Sequence, residues 1–91
     1  MSVRIELHPY LYQFIENNQR VAEVDGDTVG ECLAKLVALF PQLQTRLFDR
    51  KGNLFSYLHI YVDGENAYPD ELGKPVKDGD RINILPITIG G

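Results

Sequence analysis

The sequence predicts a single α+β domain in which one main helix packs on one face of a mixed sheet of four to five strands. Three observations predict it. Short runs alternate apolar and polar residues, one longer stretch has a 3.6-residue apolar period, and their order along the chain fits one sheet. A length of 91 residues is enough for one modest hydrophobic core.

The first two strands are predicted to form an antiparallel hairpin. Apolar and polar side chains alternate over residues 3–7, and His8-Pro9 ends that strand. A weaker strand is predicted over residues 20–25, and the polar residues 16–19 supply the turn between the two strands.

The main helix is predicted to begin at Thr28 and to end before Pro41. Thr28 followed by Glu31 fits a capping box, in which each side chain accepts a hydrogen bond from the other residue's backbone N–H. Pro41 disfavours helical geometry in the residue before it, and a short second helix is compatible with residues 42–48. The side chains expected to cover the sheet are Val29, Leu33, Leu36, Val37 and Phe40.

Two further strands are predicted in the carboxyl-terminal half. Residues 58–62 alternate apolar and polar side chains, and Asp63-Gly64 then turns the chain. Residues 68–75 have no regular pattern. Residues 77–80 form a tight turn into a last strand over residues 81–85.

The order strand, strand, helix, strand, strand specifies a topology. A right-handed crossover through the helix places the first and last strands side by side and parallel in the middle of the sheet. This arrangement is the β-grasp, or ubiquitin-like, architecture. We expect residues 1–86 to form this domain and residues 87–91 to form a flexible diglycine tail that leaves a rigidly held central strand.

Composition argues against several classes of partner and site. Nine Lys and Arg against thirteen Asp and Glu give a formal net charge of -4 with no basic run, which argues against nucleic acid as the partner. Cys32 is the single cysteine, so an internal disulfide and a cysteine-ligated metal site are excluded, and a reducing cytoplasm is the expected location. The longest apolar stretch is residues 36–40, so neither a membrane span nor a signal peptide is expected.

The sequence ends in Gly90-Gly91, and this dipeptide is the strongest candidate for chemistry. Glycine has no Cβ, so two glycines in succession can thread a narrow channel and bring a terminal carboxylate to ATP in another enzyme's site. Ile87, Thr88 and Ile89 form the segment that extends from the domain to the diglycine. Five extended residues beyond Pro86 span roughly 17 Å.

Several short segments along the chain carry a specific order and spacing. In these segments the chain resembles the ubiquitin-like sulfur carriers, a family that includes the small subunit of molybdopterin synthase and the thiamine sulfur carrier. Within the family it is most similar to carriers of the CysO type, which serve cysteine synthesis. The segments are Gly26-Asp27-Thr28, Phe40-Pro41, Leu47-Phe48-Asp49, Ile60-Tyr61-Val62, Asp78-Gly79-Asp80, Ile84-Leu85-Pro86 and Gly90-Gly91.

The resemblance implies a carrier and not an enzyme, with no catalytic residue, bound cofactor or metal of its own. A ThiF-type activating enzyme would use ATP to adenylate the Gly91 carboxylate, and a sulfur donor would then convert Gly91 to a thiocarboxylate. The sulfur would be delivered in a second biosynthetic enzyme, similar either to a cysteine synthase or to the large subunit of molybdopterin synthase.

One surface is predicted to bind the activating enzyme. If the apolar positions of the third and last strands face the helix, alternation places the intervening side chains on the open side of the sheet beside the tail. Tyrosine and arginine are favoured at protein interfaces. An ordinary sheet exterior is the alternative interpretation. The predicted docking residues are His59, Tyr61, Arg81 and Leu85, with Asn83 between them.

Other interpretations remain open at the level of single residues and of function. Cys32 is either a reactive thiol near a helix start or, more simply, a small buried apolar side chain. His8 and His59 are better explained as solvent-facing strand residues than as metal ligands, and Tyr10 as packing around the first loop. The alternative functions are a protein modifier joined to lysines, a molybdopterin synthase small subunit, and an adaptor domain that never reacts.

Overall fold

The computed structural model describes residues 2–87, and these residues form the predicted α+β fold, with the short helix anticipated within residues 42–48 and one further short helix after the first strand. Three-residue 3₁₀ turns lie at Glu16–Asn18 and Pro41–Leu43. In chain order the elements are β1 (Val3–Leu7), α1 (Pro9–Tyr12), β2 (Val21–Val24), α2 (Val29–Leu39), α3 (Gln44–Leu47), β3 (Leu58–Val62), β4 (Glu65–Asn66) and β5 (Arg81–Pro86).

The sheet has five strands in the order β2-β1-β5-β3-β4, which confirms the β-grasp topology. β1 and β5 are parallel, with Ile5 beside Ile82, and the other neighbouring strands are antiparallel. β3 and β4 are joined by Asp63-Gly64, whose positive φ angles of 50° and 87° match a two-residue hairpin turn. β5 therefore lies at the centre, hydrogen-bonded on both sides.

Helix α2 begins and ends as the sequence predicts, but its amino-terminal cap differs in one contact. The Thr28 hydroxyl oxygen accepts a hydrogen bond from the Glu31 N–H at 3.1 Å, as a capping box requires. The Glu31 carboxylate accepts from the Asp27 N–H at 2.8 Å, so the reciprocal bond reaches one residue further back than predicted. Pro41 follows the cap residue Phe40 and begins a 3₁₀ turn.

The connection between β1 and β2 is more structured than the polar turn that the sequence predicts. His8 caps helix α1, because its Nδ1 accepts a hydrogen bond from the Tyr10 N–H at 3.0 Å, and Pro9 occupies the first helical position, which proline favours. Leu11 is fully buried. The apolar side chain on this loop gives the helix a place in the core, which a solvated turn would not need.

The hydrophobic core lies between α2 and the sheet. Val29, Cys32, Leu33 and Leu36 on α2 are fully buried, whereas Val37 and Phe40, predicted for the same face, are only partly buried at its margin. The alternate positions of the central strands are also fully buried, and these are Val3, Ile5, Ile60, Ile82 and Ile84. One sheet face is therefore covered by helix, and the other is left open.

Candidate functional site

The predicted site has two parts, the tail and the open sheet face. Thr88, Ile89, Gly90 and Gly91 lie outside the described residues. The described part of the site consists of β5, the strands on either side of it and Ile87. We define the open face as the outward side chains of these strands, namely Arg4, Glu6, His59, Tyr61, Arg81, Asn83 and Leu85.

Alternation along β3 and β5 places the predicted docking residues on this open face. Ile82 and Ile84 are fully buried against α2, and the residues between them point the other way. The strand register sets His59 directly beside Leu85 and Tyr61 beside Asn83. Leu85 is 39% exposed, which is high for a leucine in a central strand. The open face thus carries an apolar side chain close to the end of β5.

The aromatic rings of the open face lie next to each other on β3. The centroids of the His59 and Tyr61 rings are 6.3 Å apart, and the rings are tilted by 59°. Both side chains are half-buried, so their neighbours restrict how freely the two rings can move. A restricted aromatic surface suits protein recognition because less side-chain entropy is lost on binding.

A polar network on the open face was missed by sequence reasoning. The Asn83 amide donates a hydrogen bond to Glu6 Oε1 at 2.9 Å, and Arg81 Nε lies 3.8 Å from Glu6 Oε2. Glu6 belongs to β1, which is remote in sequence but pairs in parallel with β5, opposite Asn83. Glu6 thus contacts the side chains of both Asn83 and Arg81 on the open face. Alternation alone could have placed it on this face, but not beside its partners.

The end of β5 is hydrogen-bonded to Tyr57, which belongs to a cluster of three aromatic residues. The Ile87 N–H donates to the Tyr57 carbonyl oxygen at 2.6 Å, so sheet hydrogen bonding extends one residue beyond Pro86, where the domain was expected to end. The Tyr57 ring stacks on Phe55 at 5.2 Å and meets Tyr10 edge-on at 6.2 Å. The hydroxyl oxygens of Tyr10 and Tyr57 are 2.9 Å apart. Sequence reasoning assigned Tyr10 only to loop packing.

The alternative sites considered for the described residues are not supported by the geometry. Cys32 is fully buried, and burial, followed by the nearby Glu31 carboxylate, raises the pKa of its thiol, which is the opposite of an activated nucleophile. His8 is a helix cap and not a solvent-facing strand residue. Among residues 2–87, no three His, Cys, Asp or Glu side chains group to hold a metal ion. In the same range, no helix has the length and apolar character that crossing a bilayer requires.

Comparison with known proteins places the chain among small ubiquitin-like proteins. The sequence model of the ThiS family matches residues 10–91. Small archaeal modifier protein 1 of Haloferax volcanii is 37% identical over 70 residues, which are 76% of this chain and 77% of that protein. Sulfur carrier protein CysO of Mycobacterium tuberculosis is 30% identical over 94 residues, with all of both chains covered.

Solved structures with the same fold include a small archaeal modifier protein and a CysO complex. The crystal structure of small archaeal modifier protein 1 from Haloferax volcanii has a TM-score of 0.86 and 31% identity, with all of both chains covered. A chain in the BexX/CysO complex of Amycolatopsis orientalis has a TM-score of 0.84 and 27% identity, covering 98% of this chain and 99% of that one.

Proposed function

The chain belongs to the ThiS family, and from that membership we propose that it is a sulfur carrier whose reacting group is the carboxylate of Gly91. One observation carries the proposal: the family match runs through residue 91 and so includes the diglycine. The full-length similarity to a CysO sulfur carrier supports the cysteine-synthesis branch. In this role the chain is a co-substrate of partner enzymes and not an enzyme.

The proposed chemistry has two steps on Gly91. An oxygen of its carboxylate attacks the α-phosphorus of ATP in a ThiF-type enzyme, the bond to the β-phosphate breaks, and pyrophosphate leaves. Hydrosulfide then attacks the carbonyl carbon of the acyl-adenylate, loses its proton, and expels AMP to give the thiocarboxylate. Activation is needed because a free carboxylate is a poor electrophile, whereas AMP is a good leaving group.

The described residues offer what such a carrier needs. β5 is central and paired on both sides, so the tail starts from a fixed point. We propose that the open face binds the activating enzyme, with Tyr61 and Leu85 as anchors, Arg81 at the rim and His59 beside Leu85. A CysO protein from Amycolatopsis orientalis has been solved in complex with BexX, so a relative of this chain binds a protein partner.

Fragment mass spectrometry tests the proposal directly. The protein ending at Gly91 is incubated with a ThiF-type enzyme, ATP, Mg²⁺ and sulfide, and we expect sulfur in place of one carboxylate oxygen on Gly91. Fragmentation is required because oxidation of Met1 or Cys32 adds nearly the same mass. A variant lacking Gly90-Gly91 is the control. Unmodified Gly91, with a positive control carrier converted in parallel, would contradict the proposal.

A protein modifier is the second candidate, favoured by the 37% identity to a small archaeal modifier protein. In that role the activated Gly91 forms an isopeptide with a lysine on another protein. Trypsin cleaves after Arg81 and would leave residues 82–91 on the target lysine, so an Ile89→Arg variant is needed to leave the short Gly-Gly remnant. Such remnants without any thiocarboxylate would favour the modifier, and a thiocarboxylate without remnants would favour the carrier.

A further inference from the structure

Among residues 2–87, the Ile87 amide makes the sheet hydrogen bond nearest to the tail. β5 pairs with β3 up to Pro86 opposite Leu58, and the Ile87 N–H continues the ladder to the Tyr57 carbonyl oxygen at 2.6 Å. The partner chain then turns away, because the Leu58 N–H closes a turn onto the Phe55 carbonyl oxygen at 3.1 Å. Within the described residues, the pairing of β5 with this neighbour therefore reaches Ile87. We call Ile87 the tail root.

The Tyr57 carbonyl that holds the tail root lies in this turn and not in a strand. Its position therefore depends on the packing of the Tyr57 side chain as well as on the hydrogen bond from Ile87. The Tyr57 ring is held on two sides, stacked on Phe55 with planes 19° apart and perpendicular to Tyr10. Offset-stacked and edge-to-face aromatic pairs are both favourable geometries. The ring thus fixes the backbone that accepts the Ile87 hydrogen bond.

Tyr10 contacts Tyr57 from the segment that follows the other neighbour of β5. It lies in α1, just after β1, and β1 and β3 are the two neighbours of β5. The hydroxyl oxygens of Tyr10 and Tyr57 are 2.9 Å apart, 47 residues apart in sequence. The Tyr10 N–H is itself fixed by the His8 ring at 3.0 Å. We call the paired hydroxyls the tyrosine bridge, which links helix α1, after β1, to the turn before β3.

We propose that Tyr10 and Tyr57 are positioning residues for the adenylation of Gly91, because they fix the place and direction in which the tail leaves the domain. This inference rests on the proposed function. Four extended residues beyond Ile87 span about 13 to 14 Å, which is shorter than a tail starting after Pro86. A defined root matters because misplacing a reacting group by about 1 Å can cost 100-fold in rate.

The test separates positioning from docking by measuring kcat and KM apart. Tyr57→Ala removes the ring but keeps the docking face, so we expect kcat for adenylation to fall at least about 10-fold and the KM for the carrier to stay within about twofold. Tyr57→Phe and Tyr10→Phe each remove one hydroxyl and keep both rings. Each should lower kcat by about two- to fivefold, the factor that one neutral hydrogen bond supplies. Tyr68→Ala, at a tyrosine 70% exposed, is the control.

Hydrogen exchange at the Ile87 amide supplies a readout that does not depend on activity. In the wild type we expect this amide to be protected, and in Tyr57→Ala its exchange should accelerate about 10-fold or more while the Ile84 amide stays protected. If Tyr57→Ala does not fold, the two phenylalanine variants decide by the same measurements. An unprotected Ile87 amide in the wild type, or an unchanged kcat in all three variants, would overturn the inference. Absence of adenylation in the wild type would instead refute the proposed function, while a protected Ile87 amide would still support the tail root.

Discussion

Truncation of Leu85 should weaken the binding of the activating enzyme by an amount that the structure sets. Leu85 is 39% exposed in the free protein. Burying a whole leucine side chain contributes about 1.5 to 3 kcal/mol, so covering the exposed part contributes about 0.6 to 1.2 kcal/mol. Leu85→Ala should therefore raise the KM for the carrier about 3- to 8-fold, because 1.36 kcal/mol corresponds to a factor of ten. The value of kcat should not change.

The assay is ATP–pyrophosphate exchange by the activating enzyme at increasing carrier concentration. Leu39→Ala is the matched control, because Leu39 is 56% exposed on α2, which covers the opposite side of the sheet. Its KM should equal that of the wild type. An equal KM for both variants, or a larger effect of Leu39→Ala, would refute the assignment of the open face as the docking surface. Tyr61→Asp combined with Leu85→Asp should abolish exchange with the fold intact by circular dichroism.

Three further predictions concern stability and are read from urea unfolding. Gly30→Ala should destabilise the fold by about 1 kcal/mol, because the added Cβ would lie 2.9 Å from the Leu72 carbonyl oxygen and overpacking outweighs the gain in helix propensity. A stabilised Gly30→Ala variant would contradict this. Ala38→Gly in the same helix measures the propensity effect alone. Burial raises the pKa of the Cys32 thiol. The contribution of the neutral thiol to the free energy of unfolding is therefore complete below the ordinary thiol pKa of about 8.5 and is lost as pH rises above it. Between about pH 8 and 10, the unfolding free energy of Cys32→Ala should therefore fall less than that of the wild type. Glu6→Gln should change the unfolding free energy by less than about 1 kcal/mol, because its ion pair is solvent-exposed, and a larger loss would contradict that.

Most of the fold was predictable because its signals are local. Strand alternation, the Thr28 cap and the Pro41 stop each depend on residues within one turn or strand, and the structure has all of them. Helix α1 was missed because His8-Pro9 both ends a strand and begins a helix, and the sequence was interpreted only in the first sense. The apolar side chain at position 11 was the signal in the sequence that favoured the helix.

The site was predictable only in part, since its remaining contacts join distant segments. Alternation placed Tyr61 and Leu85 on the open face correctly, because facing depends only on the strand's own pattern. The contact between Glu6 and Asn83 depends on the register of two parallel strands 77 residues apart. The tyrosine bridge depends on how a loop after β1 meets a turn before β3. No local sequence pattern predicts either of these two contacts.

β5 serves the core, the open face and the tail with successive residues, and this sharing limits how the strand can vary. Ile82 and Ile84 fill the core, whereas Leu85 on the other face remains available to a partner. The Ile87 N–H then extends the sheet hydrogen bonding beyond Pro86. Because the side-chain period of a strand is two, inserting or deleting one residue in β5 would exchange the buried and exposed sets and also displace the tail root. Under the proposed function, docking and placement of the tail would therefore depend on the same strand register.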